Sequence, residues 1–347
     1  MKRILIIGHQ GYLGSYLSTY LTNLGYDVSG IDIGYFEHGV VHPINDCTTV
    51  KKGAQFITKN DLRGFDAVIQ LAGISNDPVD KLDPDLFYKT CVTYTANIAS
   101  YCRDLGIKFI FPSSCSVYGF SEGSLDETSA VNPRTHYSKS KIDIEKELQL
   151  LSGPDFSPFA LRLGTVFGPS PRIRFDVVIN MLSGMAVAKG QMVLNSNGQA
   201  WRPHLFIEDA CHAMERCLQW DYTEPELMIL NVGRNDNNWK IIDIAHYLSR
   251  QFTDVPVSFL QQSNGKDSLI SDRKITDGVD IRNYQVAFDK IHQILPGFEC
   301  KNSVPEGIEK LINWLKDYQI NEVKFSQREF YRLQQMEFLH AIDALVE

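Results

Sequence analysis

Short apolar runs alternate with amphipathic stretches through the first half of the chain. RILIIG, YDVSGID, AVIQLAG, KFIFPSS and FALRLG have strand length and read as strands, several of them apolar on both faces. Apolar residues recur at helical spacing in SYLSTYLTNLG, from Asp85 to Leu105, and in HYSKSKIDIEKELQLL after Pro133. Gly25 and Gly106 stand where helices should stop. Doubly buried strands alternating with helices predict a parallel sheet covered on both sides.

Pro169 and Pro171 mark a change of style near residue 168. FDVVINMLSGMAVA and WKIIDIAHYLSRQF read as helices, and MVLN, LMILNVG and VPVSFL as strands. PHLFIEDACHAMERCLQ reads as a strand running into a helix. SQREFYRLQQMEFLHAIDALVE carries apolar residues at helical spacing and predicts a docked terminal helix.

The first strand ends in GHQGYLG, where Gly8, Gly11 and Gly14 stand three apart at the start of a helix. Such spacing has a physical use. Gly8 lets the chain turn out of the strand, Gly11 lets main chain approach a diphosphate, and Gly14 lets the helix pack closely on the sheet. The N–H groups of Tyr12, Leu13 and Gly14 then face that diphosphate at the positive end of the helix dipole. Asp32 ends the next strand about 20 residues on, where a carboxylate accepts hydrogen bonds from ribose hydroxyls. A carboxylate there repels a 2′-phosphate, and Ile33, Gly34 and Tyr35 bring no arginine, so NAD is favoured over NADP. These signals predict an α/β chain. A Rossmann-type doubly wound parallel sheet is expected over 1–167, with a smaller mixed α/β C-terminal substrate-binding region over 168–347. Segments around 203–235 are expected to return to pack on the first domain.

Composition narrows the partners. The formal net charge of -8 argues against a nucleic-acid partner. No run approaches the roughly 18 apolar residues of a membrane span. The first apolar run is too short for a signal-peptide core and reads as a strand. Seven cysteines without CxxC pairs read as free thiols in a reducing cytoplasm. The nine histidines show no metal-ligand spacing with them, so no metal is expected.

Ser113 and Ser114 end the strand KFIFPSS, and Tyr137 and Lys141 follow in YSKSK. At i and i+4 on a helix, Tyr137 and Lys141 project from one face. A free phenol titrates near ~10. An ammonium a few ångströms away favours the phenolate and lowers that value by roughly 1–3 units. Such a phenolate can take a proton from a sugar hydroxyl while the carbon's hydride leaves for NAD. Ser114 can hydrogen-bond the same oxygen and stabilise its changing charge.

GHQGYLG, Asp32, DAVIQLAG, SSCSVYG, YSKSK, FGPSPRIRFD, WRPHLFIEDA, LNVG and DIRNYQVAFDKI occur in this order from residue 4 to about 292. Together they resemble the extended short-chain dehydrogenase/reductase family, the NAD-dependent nucleotide-sugar epimerases and dehydratases. The resemblance implies that Asp46, or alternatively Asp61, contacts the adenine. It implies that Leu71, Ala72, Gly73, Ser113, Tyr137 and Lys141 line the cofactor. Ser116, Thr165, Asn180, Arg202 and Arg282 are implied to hold a nucleotide-diphosphate sugar, and the planar fork of arginine suits phosphate oxygens. A homodimer through the helix carrying YSKSK and the helix before SSCSVYG is expected by analogy.

Departures from the family pattern narrow the reaction. Dehydratases carry Asp-Glu directly after the catalytic Ser/Thr, where this chain has Cys115 and Ser116. Without that carboxyl pair, dehydration ranks low, and Cys115 reads as a small buried hydrophobe. Cys91 and Thr165 stand where many epimerases have Asn. The expected reaction is C4 epimerisation through a 4-keto sugar. A net C4 dehydrogenase or ketoreductase is the alternative, followed by a 4,6-dehydratase or a non-catalytic NAD-binding regulator.

Overall fold

The computed structural model describes residues 1–42, 47–74, 84–253, 255–263, 266–270 and 282–345. The first strands are β1 (Arg3–Ile7), β2 (Asp27–Asp32), β3 (Thr48–Lys51), β4 (Ala67–Gln70) and β5 (Lys108–Ser114). After β6 (Phe120–Leu125) come β7 (Phe159–Leu163), β8 (Thr165–Phe167), β9 (Met192–Leu194), β10 (Trp201–Phe206) and β11 (Met228–Val232). Seven of these form one parallel sheet in the order β11-β7-β5-β4-β1-β2-β3. The chain builds outward from β1 through β2 and β3, then crosses back to β4. The strand order therefore reverses between β1 and β4, and this leaves a crevice at their carboxyl ends.

Alternation along β1 assigns its residues to two cores. Ile4 and Ile6 pack with Leu17 and Leu21 of α1 (Tyr12–Asn23) and with Ala210 and Met214. Leu5 and Ile7 face the other way, against Ile98, Ala99, Ile144 and Leu148. Each of these Leu, Ile and Met side chains stabilises the fold by about 1.5–3 kcal/mol on full burial. After a short α2 (Lys59–Leu62), the expected helix from Asp85 to Leu105 is α3 (Pro84–Tyr88) and α4 (Tyr94–Leu105), joined by a π-turn over Lys89–Thr93. The helix carrying YSKSK is α5 (His136–Leu151), started by a reciprocal Thr135–Ser138 capping box.

The second region holds α6 (Val178–Lys189), α7 (Ile207–Gln219), β12 (Asn238–Lys240), α8 (Ile241–Gln251) and an antiparallel pair, β13 (Val257–Ser263) with β14 (Lys266–Ile270). β15 (Asn283–Val286) pairs with β6, and α9 (Asp289–Ile294) and α10 (Val304–Asp317) follow. β10 pairs with β8 and β12, and β13 pairs with β9 and β14. β11 joins the main sheet beside β7. The chain closes with α11 (Glu322–Phe325) and α12 (Arg332–Ala341). Phe325 and Phe330 pack on Phe175, with ring centroids 4.7 and 5.7 Å away. The terminal helix is docked, and its buried face includes Arg332, Gln335 and Met336. Among the described residues, no helix is long and apolar enough to cross a membrane, and no cluster of His, Cys, Asp or Glu could hold a metal ion.

Candidate active site

A cavity of about 590 Å³ opens at the carboxyl ends of β1, β2, β4 and β5. Its volume lies within the range of small-molecule sites. Gly8, Asp32, Leu71, Ser114, Tyr137 and Arg282 all line it.

The three glycines divide by what surrounds them. Gly8 has φ +91°, and a Cβ there would lie 2.5 Å from Ala72 N. A Cβ on Gly14 would lie 2.3 Å from Gly8 O. Gly11 has φ −81° and an extended backbone open to any residue. A Cβ on it would meet only Gly8 O, at 3.3 Å. Contacts within the chain thus fix Gly8 and Gly14, whereas Gly11 leaves open a cradle that a side chain would fill. Among the described residues no side chain caps the start of α1, and Gly11, Tyr12, Leu13 and Gly14 line the cavity. Such a helix start suits an anion. The Tyr12 phenol turns inward, donating to Gly168 O at 2.8 Å and accepting from Asn180 Nδ2 at 3.2 Å.

Asp32 lies at the end of β2, on the cavity wall. Its Oδ2 accepts the Gln10 N–H at 2.9 Å and its Oδ1 the Gly34 N–H at 2.8 Å. Both oxygens keep a lone pair for hydroxyls in the cleft. Asp46 falls outside the described residues. Asp61, its alternative, does not line the cleft: it caps α2 through Thr58 and pairs with Lys52 Nζ at 2.6 Å. Leu71, Ala72 and Gly73 line the opposite wall.

Ser114, Tyr137 and Lys141 share one end of the cavity. Ser114 Oγ accepts the Ser116 N–H at 3.2 Å, which leaves its own proton to donate. Lys141 Nζ donates to Pro112 O at 2.7 Å, and lies 4.4 Å from the Phe111 ring centroid and 5.4 Å from that of Tyr137. Burial pushes the Lys141 ammonium down to about 8, while Cys91 and Glu145 oppose the shift. It is therefore still protonated at neutral pH.

A buried network holds this end in place. Glu145 on α5 accepts from Arg162 Nε at 3.0 Å and Nη2 at 2.7 Å, and from Ser113 Oγ at 2.6 Å. Arg162 Nη1 also donates to Tyr118 Oη at 3.0 Å. The Ser113 hydroxyl is thus engaged inside the protein, and only its main chain is left for the cleft.

On the expected substrate side, Ser116, Thr165, Arg202 and Arg282 line the cavity. Ser116 Oγ is buried with no partner among the described residues. Arg202 lies 5.2 Å from the Tyr284 ring and donates to Trp201 O at 2.7 Å. Asn180 departs from expectation and is corrected. It is fully buried and off the cavity wall, with its amide engaged by Gly168 N–H and Tyr12 Oη. The polar residue type is right, but α6 turns it toward the protein interior.

Cys115 is 1% exposed, donates to Arg162 O, and burial pushes its thiol up. Cys91 sits in the π-turn, donates to Ile74 O at 3.5 Å, and is pushed up to about 11 by burial. Neither thiol is poised as a nucleophile. Polar residues on the wall that sequence reasoning missed include Gln70, Tyr284, Arg332 and the Arg174–Asp176 pair at 2.8 Å. Gln70 ends a strand that the apolar pattern already marks. Arg174 lies within FGPSPRIRFD, where nothing separates its role from that of Arg172. Arg332 comes from a helix whose apolar spacing predicts docking alone.

A family model described as the NAD dependent epimerase/dehydratase family matches residues 4–233. "Sterol-4-alpha-carboxylate 3-dehydrogenase, decarboxylating" of Mus musculus is 27% identical over 221 residues, 61% of this chain and 58% of that protein. The match thus spans little more than half of that relative's length. MoeE5 in complex with UDP-glucose and NAD superposes with a TM-score of 0.75 at 20% identity, covering 91% of this chain and 99% of that one. UDP-glucose 4-epimerase with UDP-glucose from Thermotoga maritima gives 0.75 at 18% identity, with the same coverage. The likeness to the two solved structures is one of fold. The family match extends over most of the chain, and the chain belongs to the NAD dependent epimerase/dehydratase family.

Proposed function

We propose that this protein is a nucleotide-sugar epimerase that oxidises its substrate at C4 to a 4-keto sugar and reduces it again on the other face. One observation carries the reading: Tyr137 and Lys141 lie one helical turn apart on the same cleft that Gly11 and Asp32 line. The residues at the other end fit NAD. Gly11 leaves room for a diphosphate, α1 offers uncapped N–H groups, and Asp32 offers acceptors to a ribose. When bound, NAD supplies a reversible hydride acceptor. Tyr137 takes the proton of the substrate hydroxyl as a phenolate. Lys141, a cation at neutral pH, favours that phenolate. Ser114 donates to the reacting oxygen and supports its charge.

Ser116 and Thr165 offer hydroxyls to the sugar, and Arg202 and Arg282 offer guanidinium forks to the nucleotide diphosphate. Residues 1–167 are read as the cofactor-binding domain and 168–347 mainly as the substrate region, with β11 returning to the main sheet. Pairing of α4 and α5 with a second copy would give a homodimer, which light scattering tests.

A net dehydrogenase shares the first half-reaction and keeps its product oxidised. The activity named for the mouse relative, a dehydrogenase, favours this second reading. Incubating pure enzyme with UDP-, GDP- and dTDP-sugars, without added NAD, separates the two. Catalytic formation of an epimer supports epimerisation. A single stoichiometric rise in NADH with a keto product supports the dehydrogenase. No turnover of any nucleotide sugar would sink both.

A further inference from the structure

The terminal helix α12 brings a cation to the cofactor end of the cleft. Arg332 is 6% exposed and lines the cavity together with Met336. Its guanidinium carbon lies 3.8 Å from the Phe36 ring centroid, and Phe36 is itself on the wall, four residues after Asp32. No acceptor or ion-pair partner among the described residues meets the guanidinium; the backbone N–H alone bonds to Asp176 Oδ2 at 3.0 Å. The nearby carboxylates are already engaged. Asp176 is held by Arg174 Nε at 2.8 Å and Nη2 at 3.1 Å, and Asp32 by two backbone N–H groups. Burial, then Arg174, push the Arg332 cation down to about 9, with Asp176 and Asp32 opposing. A buried guanidinium without an acceptor is unfavourable until an anion joins it.

The position of this arginine is fixed from several sides. Gln335 Nε2 donates to Tyr35 O at 2.9 Å, and Arg172 Nη1 to Phe36 O at 2.7 Å. The Phe175 N–H donates to Phe330 O at 3.0 Å. A Cβ on Gly39 would lie 3.0 Å from Glu329 O, so the loop after β2 and the terminal segment touch closely. Arg332 feels the field of Asp32, at the ribose end, and of Arg174, whose own field reaches Tyr12 in the glycine loop. In a dinucleotide the adenosine-side phosphate is the half of the diphosphate bonded to the adenosine ribose, so with that ribose at Asp32 and the diphosphate at Gly11 it would face the wall that Arg332 lines.

Resting on the reading of this cleft as a dinucleotide site, we propose that Arg332 completes it by donating its guanidinium fork to the adenosine-side phosphate of the cofactor. The C-terminal helix is then part of the cofactor site, although the family match ends at residue 233. A 2′-phosphate is the other anion that could reach this end, but the Asp32 carboxylate repels it.

The test is calorimetric titration of the full chain, freed of nucleotide, with NAD, AMP, adenosine and NADP. Wild type is compared with Arg332→Gln and Arg332→Met. Both variants should bind NAD and AMP about 10- to 100-fold more weakly, the weight of a charged hydrogen bond, and adenosine within about twofold of wild type. Their melting temperatures without ligand should equal or exceed that of wild type, because a buried charge has gone. Either variant suffices if only one folds. Wild-type affinity for NAD and AMP in a folded variant would overturn the proposal, and so would a loss confined to NADP. Failure of the wild type itself to bind NAD would overturn the functional reading along with it.

Discussion

Replacing Glu145 with Gln tests the platform beneath the reacting end. Glu145 and Arg162 are 5% exposed each, and the carboxylate holds the Arg162 Nε and Nη2 groups and the Ser113 hydroxyl. Glutamine keeps the shape but turns an N–H₂ toward Arg162 or Ser113, and it leaves a buried cation without its counter-charge. Breaking one side of such a pair costs about 3–5 kcal/mol. Against a total stability of roughly 5–15 kcal/mol, that is a large fraction. Urea unfolding should show a lower midpoint with an unchanged slope. The double variant Glu145→Leu/Arg162→Met removes both charges and should recover most of the loss. Activity should fall too, because Glu145 opposes the downward shift of Lys141. A loss below about 1 kcal/mol for Glu145→Gln would show that this network does not hold the site as described.

Gly11→Val should still fold, since φ −81° suits any residue and a small shift relieves the 3.3 Å approach of its Cβ to Gly8 O, yet NAD binding by calorimetry should vanish; Gly8→Ala, at φ +91° and 2.5 Å from Ala72 N, should instead fail to give soluble protein. Lys141 titrates near 8 when folded against 10.5 as a free side chain, so the unfolded chain binds more protons between those values and stability should rise with pH across that window. The gain is at most ~3 kcal/mol, less what cleft water returns, and melting curves of Lys141→Met should lack it. In the same variant, the acid limb of the hydride-transfer profile should move up toward the ~10 of a free phenol. Ser116→Ala removes a buried hydroxyl without a partner among the described residues and should raise KM for the nucleotide sugar while leaving the melting temperature unchanged; unchanged kinetics would place Ser116 outside the substrate's contacts.

The centre of the main sheet was legible because strands such as β1 and β7 are apolar on both faces. Ile4 to Ile7 serve two cores, and that demand leaves a run without polar interruptions. Tyr137 and Lys141 were legible because i, i+4 spacing fixes a shared helix face before any tertiary contact forms. The edge strand β3, TTVK, was not, because all four residues are exposed and carry no hydrophobic pattern. The orientation of Asn180 was equally hidden. Whether it faces the cleft or Tyr12 depends on how α6 meets the glycine loop, a contact 168 residues away in sequence. Arg332 shows the same limit from the other side, since a long-range docking brings it to a wall that residues near Asp32 begin.

The central claim is that the Tyr137 phenolate removes the proton whose loss lets the hydride leave. Rapid mixing of NAD-loaded enzyme with its nucleotide sugar, followed by NADH absorbance in a single turnover, measures that step directly. The account predicts a prompt NADH signal in wild type and a loss of several orders of magnitude in Tyr137→Phe, with NAD affinity within a few-fold of wild type. An undiminished NADH burst in Tyr137→Phe would contradict it.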